Sequence, residues 1–223
     1  MNILLVFATS VEARIVDKIR GNDAAAQQFN FNSHTIDAMV TGIGGIATSW
    51  SLQKWLSEHT APDLAINAGI AGSFNPDYRF GDIVMPLSDC FADLGREQGG
   101  SFQTVFEAGF VGGDEFPFKN GVIYSDNNYI PNIPTSIKRV RGITVNSASG
   151  TISTIDKLRE KFNPDIETME GATFFYICAR ENIPFIAIRA ISNMVEPREG
   201  SVWMIPLALE NLAEKVKEVL NTL

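Results

Sequence analysis

The chain has 223 residues, 45% of them hydrophobic, and a formal net charge of −8. A chain of this length is expected to form one domain, residues 1–223, with a substantial buried core. The acidic balance and the lack of any Lys/Arg cluster argue against a nucleic-acid partner, whose phosphates need a basic surface. No apolar run approaches the roughly 20 residues of a membrane helix, and no basic segment precedes the first apolar run. We therefore expect a cytoplasmic protein.

Cysteine and histidine are both scarce, with two residues of each. Cys90 and Cys178 stand far apart in apolar surroundings, so we expect both to pack in the core rather than to bind a metal or form a disulfide. His34 and His59 are too few for a His-based metal centre or a Ser-His-Asp triad. The composition therefore predicts a protein with no metal and no cofactor.

Apolar runs alternate with helical periodicities along the chain. Uninterrupted apolar strands indicate burial on both faces, and strands that alternate with helices predict an α/β fold, here a single-domain three-layer α/β/α sandwich with a central mixed sheet. The predicted strands are residues 2–8, 35–41, 64–67, 82–91, 142–145 and 185–191, and the predicted helices are residues 11–19, 46–58, 153–162, 169–181 and 205–223.

The stretch from residue 94 to 136 departs from this alternation. It is rich in Gly and Phe and has no clear period. A long irregular segment inside a compact domain is typical of a lid, a binding loop or an oligomer contact. The alternative is an ordinary excursion that covers one edge of the sheet.

Two glycine-rich segments follow predicted strands. Residues 42–47 match the G-x-G-x-x-A dinucleotide fingerprint, but the next strand ends in Asn67, and its only acid, Asp63, stands at the wrong end to hold a ribose. A dehydrogenase is therefore disfavoured. Residues 69–72, Gly-Ile-Ala-Gly, are expected to form a turn at the carboxyl end of a strand. Two such turns leave room for a small molecule. The alternative is that the glycines serve only to form tight turns.

Three polar residues are expected to meet at this edge of the sheet. Glu12 lies just after the first strand, Glu170 in the first turn of a helix, and Asn193 at the close of the strand 185–191. A helix dipole favours an ionised carboxylate in the first turn, so Glu170 taken alone is explained as a capping residue. Asn193 taken alone is explained as a residue that favours a turn. Together with the glycine segments, they predict a metal-free site for a sugar and a base.

Five segments of the chain resemble the nucleoside phosphorylase/hydrolase superfamily, and within it the methylthioadenosine/S-adenosylhomocysteine nucleosidase branch. The Met-Glu pair at 169–170 and the Arg-Ala-Ile-Ser-Asn segment form the most specific part of this signature. The matching segments are residues 7–12, 41–44, 67–72 with 81–84, 167–172 and 189–193.

The resemblance implies hydrolysis of the N-glycosidic bond of a purine nucleoside by a homodimer. Glu12 matches the general base for water, and Glu170 matches the carboxylate that grips the ribose hydroxyls, where two acceptor oxygens suit two neighbouring donors. Met169 is expected beneath the ribose, and Arg189 as support near the site. The remaining expected substrate-binding positions are Ile70, Gly72 and, in the base-binding loop 147–151, Ser149.

Asn193 departs from the adenine-specific members of this family, which carry Asp there to protonate the leaving base. An amide has no titratable proton to give, but it donates a hydrogen bond to O6 or N7 of a 6-oxopurine. Asn193 and the residues around it, 194–198 and 203–207, resemble the futalosine hydrolases, which release hypoxanthine. For the carboxyphenyl group of that substrate, the Phe-rich segment is a candidate pocket wall, and Arg198 a candidate partner, although a surface role suits Arg198 better.

Three alternatives stay open at this stage. A methylthioadenosine/S-adenosylhomocysteine or aminodeoxyfutalosine nucleosidase would share the reaction but not the base. A phosphorylase would need cations for phosphate, and Glu12 would repel that anion. A nucleoside sensor would need no base beside the anomeric carbon.

Overall fold

The computed structural model describes residues 1–20 and 28–223. Eleven strands and six α-helices are present in these two ranges. The strands are β1 (Asn2–Phe7), β2 (Gln28–Phe31), β3 (His34–Val40), β4 (Leu64–Ser73), β5 (Ile83–Asp89), β6 (Gly95–Gln98), β7 (Ser101–Thr104), β8 (Ile123–Tyr124), β9 (Lys138–Thr144), β10 (Ile166–Thr168) and β11 (Phe185–Met194). The helices are α1 (Ser10–Ala13), α2 (Ile15–Arg20), α3 (Gly44–Glu58), α4 (Ile152–Phe162), α5 (Gly171–Arg180) and α6 (Ile205–Thr222).

A mixed sheet with helices on both faces forms the body of the fold, which confirms the predicted class. The strands run in the order β10-β9-β5-β11-β4-β1-β3-β2. Alternate residues of β1 point into different cores, because successive side chains of a strand face opposite sides. Leu5 lies in the core under α2 and α6, and Leu4 lies in the core under α3 and α5, and both are fully buried.

One end of the sheet closes on itself. The short strand β10 is parallel to β9 and antiparallel to β4, so β4, β11, β5, β9 and β10 form a ring of paired strands. The closing strand was not predicted, since three residues are too few to show a period. It sets Glu167 directly beside Gly72 of β4.

Several predicted boundaries were wrong, and two of the errors concern the site. The strand predicted at 64–67 continues to Ser73, so residues 69–72 form no turn but belong to β4. The strand predicted at 185–191 continues to Met194, with an irregularity in the pairing between Ile191 and Asn193. Strand β2 was also missed, and the helix predicted at 11–19 is divided at Arg14 into α1 and α2.

The irregular segment 94–136 packs against α5 and adds one short strand to the sheet. It contains the hairpin β6-β7, and its strand β8 pairs with β5. Phe106 packs edge-on against Phe118, whose ring centroid lies 5.8 Å from that of Tyr176 on α5. Phe110 and Phe116 stay exposed to solvent.

The remaining expectations from composition concern the cysteines and the membrane. Cys90 and Cys178 are buried and unbonded to each other, as predicted for core residues. Within residues 1–20 and 28–223, no helix is both long and apolar enough to cross a bilayer.

Candidate active site

A cavity of about 340 Å³ lies at the carboxyl ends of β1, β4 and β11. This volume is within the range of small-molecule sites. The cavity brings together seven of the eight predicted site residues, and the eighth, Arg189, does not line it. Those seven are Glu12, Ile70, Gly72, Ser149, Met169, Glu170 and Asn193.

Glu12 is held rigidly at one side of the cavity. Its Oε2 accepts hydrogen bonds from the backbone N–H and the hydroxyl of Thr9, each at 2.9 Å, and Thr9 Oγ1 accepts from the N–H of Glu12. This reciprocal pair is a capping box at the start of α1. Its Oε1 accepts from the N–H of Ile70 at 3.1 Å. A side-chain carbon at residue 69 would lie only 2.7 Å from that oxygen, so the carboxylate fits there because residue 69 is a glycine.

Glu170 does not lie in the first turn of a helix, as was predicted. It occupies the cap position before α5, and its side chain makes no capping hydrogen bond there. Oε1 instead accepts from the N–H of Gly44, at 2.8 Å, across the cavity wall. Gly44 has a φ of +87°, a conformation suited to glycine, and its amide serves a carboxylate rather than a dinucleotide phosphate.

Burial, rather than the helix dipole that was predicted, has the largest effect on the pKa of Glu170. Burial raises the pKa of the Glu170 carboxyl above its usual range, more than the hydrogen bond from Gly44 lowers it. Desolvation disfavours the charged form of a carboxyl group wherever donors do not fully replace water.

Asn193 lies beside Gly72 on the adjacent strand, with its amide orientation fixed by neighbours. The Ser192 hydroxyl donates to Oδ1 at 2.8 Å, and Nδ2 donates one proton to the carbonyl of Met194 at 3.0 Å. The second proton of Nδ2 is free for a ligand. Nδ2 lies 3.1 Å from the position of a side-chain carbon at Gly72, so the donor faces the space above that glycine.

Glu167 lines the same cavity, although the sequence did not single it out. It is 7% exposed, and it accepts hydrogen bonds from both the N–H and the hydroxyl of Ser149. Burial raises the pKa of its carboxyl. Ser149 was expected to contact substrate, but both of its donors are directed to Glu167. The sequence carried no clear signal for Glu167, because its strand, Ile-Glu-Thr, is too short to show a period.

Arg189 and Asp89 are buried and do not line the cavity. The Arg189 guanidinium is 2% exposed and donates to the backbone carbonyl and side-chain oxygen of Asn67, the former at 2.6 Å. Burial lowers the pKa of this guanidinium, and the opposite charges of Glu170, Glu12 and Asp89 offset part of that shift. Arg189 therefore lies behind the cavity wall rather than in it, and its role as support near the site stays a prediction.

One aromatic residue of the cavity comes from the loop before α6. Trp203 lines the wall, and the guanidinium carbon of Arg198 lies 5.1 Å from its ring centroid. Arg198 itself is exposed and does not line the cavity. Among the described residues, none from the segment 94–136 lines it either, so the predicted aromatic wall is not formed by this segment within one chain.

The basic residues near the site line a different cavity. A second space of about 670 Å³ shares only Ala148 and Ser149 with the first. Its wall contains Arg96, Lys157 and Lys161. The described wall of the first cavity holds three glutamates and no Arg or Lys. Two carboxylates that flank a bare glycine strand, with an amide donor at the far end, suit a neutral sugar joined to a base.

The fold and this site together define an α/β protein of the nucleoside-processing kind. The sequence profile of the Phosphorylase superfamily matches residues 17–223, nearly the whole chain. The chain belongs to this superfamily.

Two curated relatives are named for different substrates. A 5′-methylthioadenosine/S-adenosylhomocysteine nucleosidase of Anoxybacillus flavithermus is 30% identical over 213 residues, covering 87% of this chain and 86% of the relative. A futalosine hydrolase of Streptomyces coelicolor is 29% identical over 163 residues, covering 69% of this chain and 63% of that protein. One relative is named as a nucleosidase and the other as a hydrolase. The predicted enzyme class, an N-glycosyl hydrolase, is thereby confirmed.

Solved structures give the same fold. A Helicobacter pylori nucleosidase mutant with 5′-methylthioadenosine in its active site superposes with a TM-score of 0.82 at 15% identity, covering all of this chain and 99% of the other. A futalosine hydrolase mutant of the same organism gives a TM-score of 0.82 at 14% identity, covering both chains completely. At these identities the structures establish the fold and do not separate the two substrates.

The buried charge behind the cavity predicts a particular dependence of stability on pH. Burial raises the pKa of Asp89 to about 7, from an ordinary value of 3.8. The folded chain then holds this proton more tightly than the unfolded chain. The contribution of Asp89 to stability is therefore complete below the unfolded pKa and is lost as pH rises toward 7. We expect the Asp89→Asn variant, whose side chain is neutral at every pH, not to show this loss of stability.

Chemical denaturation followed by circular dichroism at about pH 5, 6 and 7 measures the effect. The free energy of unfolding of Asp89→Asn, relative to the unchanged protein, is expected to rise by up to about 1.4 kcal/mol for each pH unit. Asp126→Asn, at an exposed position, is the control and should show no such trend. A constant difference between the Asp89 variant and the unchanged protein across this range would contradict the assignment.

Proposed function

We propose that this chain hydrolyses the N-glycosidic bond of futalosine, releasing hypoxanthine and dehypoxanthine futalosine, in menaquinone biosynthesis by the futalosine pathway. The observation that carries the proposal is the Asn193 amide at the base end of the cavity. Ser192 holds Oδ1, which leaves Nδ2 as the group presented to the ligand. Such a site offers a hydrogen-bond donor but no proton, and this suits a base that departs as an anion.

Glu12 activates the attacking water in this mechanism. Its carboxylate takes a proton from water, the oxygen bonds to C1′, and the bond from C1′ to N9 breaks. The electron pair of that bond goes to hypoxanthine, whose developing charge is stabilised by the N–H of Asn193 at N7 or O6. The three hydrogen bonds that hold Glu12 keep its carboxylate in one position for this step.

Glu170 binds the ribose and stabilises the transition state. One of its oxygens already accepts from Gly44, and the remaining acceptor positions suit the 2′ and 3′ hydroxyls. Its negative charge favours the cationic, ribooxocarbenium-like sugar. Met169, half-buried in the cavity wall beside it, gives the sugar an apolar surface.

Hydrolysis is favoured over phosphorolysis by the charges around the cavity. Phosphate needs cationic or backbone donors that are free, whereas the described wall carries Glu12, Glu167 and Glu170 without Lys or Arg. Three carboxylates in a space of about 340 Å³ would repel a divalent anion. Water carries no such penalty.

A methylthioadenosine/S-adenosylhomocysteine nucleosidase is the second candidate. It is favoured by the Anoxybacillus flavithermus relative, which this chain matches at 30% identity over most of both lengths. The two candidates share Glu12, Glu170 and the reaction, and they differ only in the base and the 5′ substituent.

A homodimer is part of the proposal. The apolar side chains of Ile43, Ile46 and Trp50, at the start of α3, are 60%, 88% and 66% exposed. Ile43 also lines the cavity, so a partner that covers this surface would complete the cavity's open side. This suits a 5′ pocket shared between two subunits.

The direct test is a panel of futalosine, aminodeoxyfutalosine, inosine and methylthioadenosine, assayed for free base by liquid chromatography with and without phosphate. We expect futalosine to give the highest kcat/KM, with hypoxanthine and a free sugar hemiacetal as products in either buffer. A phosphate-dependent sugar 1-phosphate would replace hydrolysis by phosphorolysis. Fastest release of adenine from methylthioadenosine would favour the second candidate.

Glu12→Gln tests catalysis against mere binding. We expect kcat to fall by about 10³-fold or more, because an amide cannot accept the proton of the attacking water. Futalosine binding, measured by calorimetry, should remain, since the amide fills the same space. Asp17→Asn, an exposed acid on the neighbouring helix, is the matched control. Unchanged turnover in Glu12→Gln would remove Glu12 from its role and favour a sensor.

Asn193→Asp tests how the base is recognised. An acid at this position can protonate N7, which adenine needs more than hypoxanthine does. We expect the ratio of kcat/KM for futalosine to that for methylthioadenosine to fall by about tenfold or more, on the scale of one polar contact. Asn193→Ala, which removes the donor without adding an acid, should slow both substrates instead. An unchanged ratio in Asn193→Asp would overturn the assigned role.

A further inference from the structure

Glu167 is a buried carboxylate in the cavity that the mechanism above does not use. It is held by two donors of Ser149, yet it lines the space where the substrate binds. Each carboxylate oxygen has two acceptor positions, and Ser149 occupies one on each. Acceptor capacity therefore remains on the side of the cavity.

The sheet sets Glu167 and Asn193 on either side of one glycine. Gly72 of β4 pairs with Glu167 of β10 and with Asn193 of β11. Residues that pair across neighbouring strands project to the same face, so both side chains rise from the same side of the sheet. Two strand spacings separate their Cα atoms by about 10 Å. Gly72 lines the cavity between them, and a Val195 methyl and the Asn193 amide lie against the place that its side chain would take.

Asn193 and Glu167 offer a hydrogen-bond donor and a hydrogen-bond acceptor, respectively, to a ligand bound between them. Asn193 presents a donor, Nδ2, and Glu167 presents an acceptor. A 6-oxopurine has the matching order along one edge, with the acceptors N7 and O6 followed by the donor N1–H. Adenine has an unprotonated N1 at the same place, whose lone pair would face the carboxylate.

We propose that Glu167 is a specificity-determining residue that accepts the N1–H of a 6-oxopurine base while Asn193 donates to its N7 or O6. This inference rests on the proposed function, since it presumes a hypoxanthine substrate. Ser149 then acts as a positioning residue, because its two donors fix the carboxylate without reaching the base. Gly72 lines the cavity between Glu167 and Asn193.

Glu167→Gln tests the inference, because the amide retains the shape of the side chain and can donate to an unprotonated N1. The measurement is kcat/KM of the full-length enzyme for futalosine and for methylthioadenosine. We expect the ratio of the two to fall by about 100-fold or more, since a site built to pair a buried polar group rejects a mismatched partner by such factors. A residue that only anchored the loop 147–151 would slow both substrates in parallel, and that result would overturn the inference.

Binding of free bases gives a second readout that does not depend on turnover. Hypoxanthine and 1-methylhypoxanthine differ only in the N1–H, so the unchanged protein is expected to bind the first far more tightly. In Glu167→Ala, which also makes room for the methyl group, the two dissociation constants should agree within about threefold. A preference for hypoxanthine that persists in this variant would contradict the role of Glu167.

The two proposals fail in different measurements. If the unchanged protein prefers methylthioadenosine, the proposed function is wrong, and the assignment of Glu167 falls with it. If the unchanged protein prefers futalosine and Glu167→Gln keeps that preference, only the assignment of Glu167 is wrong. Asp93→Asn, which changes an acid of the neighbouring cavity near Glu167, is the control and should leave the ratio unchanged.

Discussion

The candidate site depends on the absence of side chains at two positions of β4. At Gly69 the vacant space holds the Glu12 carboxylate, and at Gly72 it lies under the Asn193 amide. Even one methyl group at either glycine would come within about 3 Å of these polar atoms. The bare backbone also gives its amides to the site, since the N–H of Ile70 binds Glu12. A single strand therefore positions both Glu12, the proposed water-activating carboxylate, and Asn193, the proposed donor for the leaving base.

The second constraint is the charge that this arrangement buries. Glu12, Glu167 and Glu170 face one small cavity, and the structure stabilises each by donors from a different element: the α1 capping box, the loop 147–151 and the N–H of Gly44. Arg189 adds one positive charge behind them, and Asp89 nearby has its pKa raised to about 7. Because unpaired charges are costly in an interior, this balance requires fixed donors, and they come from a helix cap, a loop and the start of a helix.

The sequence predicted the fold class well because uninterrupted apolar strands and periodic helices carry that information directly. It predicted Glu12, Glu170 and Asn193 as neighbours because each follows or ends a strand at the same edge. It failed where local pattern and tertiary pairing disagree. Residues 69–72 read as a turn, yet β10 and β11 pair with both sides of β4 there and keep it extended. Glu167 was missed for the same reason, because only the pairing of β10 with β4 shows that it faces Gly72.

Specificity and catalysis make opposite demands on a carboxylate near a departing anion. In its proposed role Glu167 favours a base with N1–H, but its charge opposes the negative charge that develops as the bond to N9 breaks. The geometry separates these effects along the base. In the proposed complex, Asn193 lies at the imidazole edge, where the charge develops first, whereas Glu167 contacts the pyrimidine edge. The donors of Ser149 and the positive field of Arg198 reduce the charge that Glu167 presents. The same carboxylate can then select the base without preventing its departure.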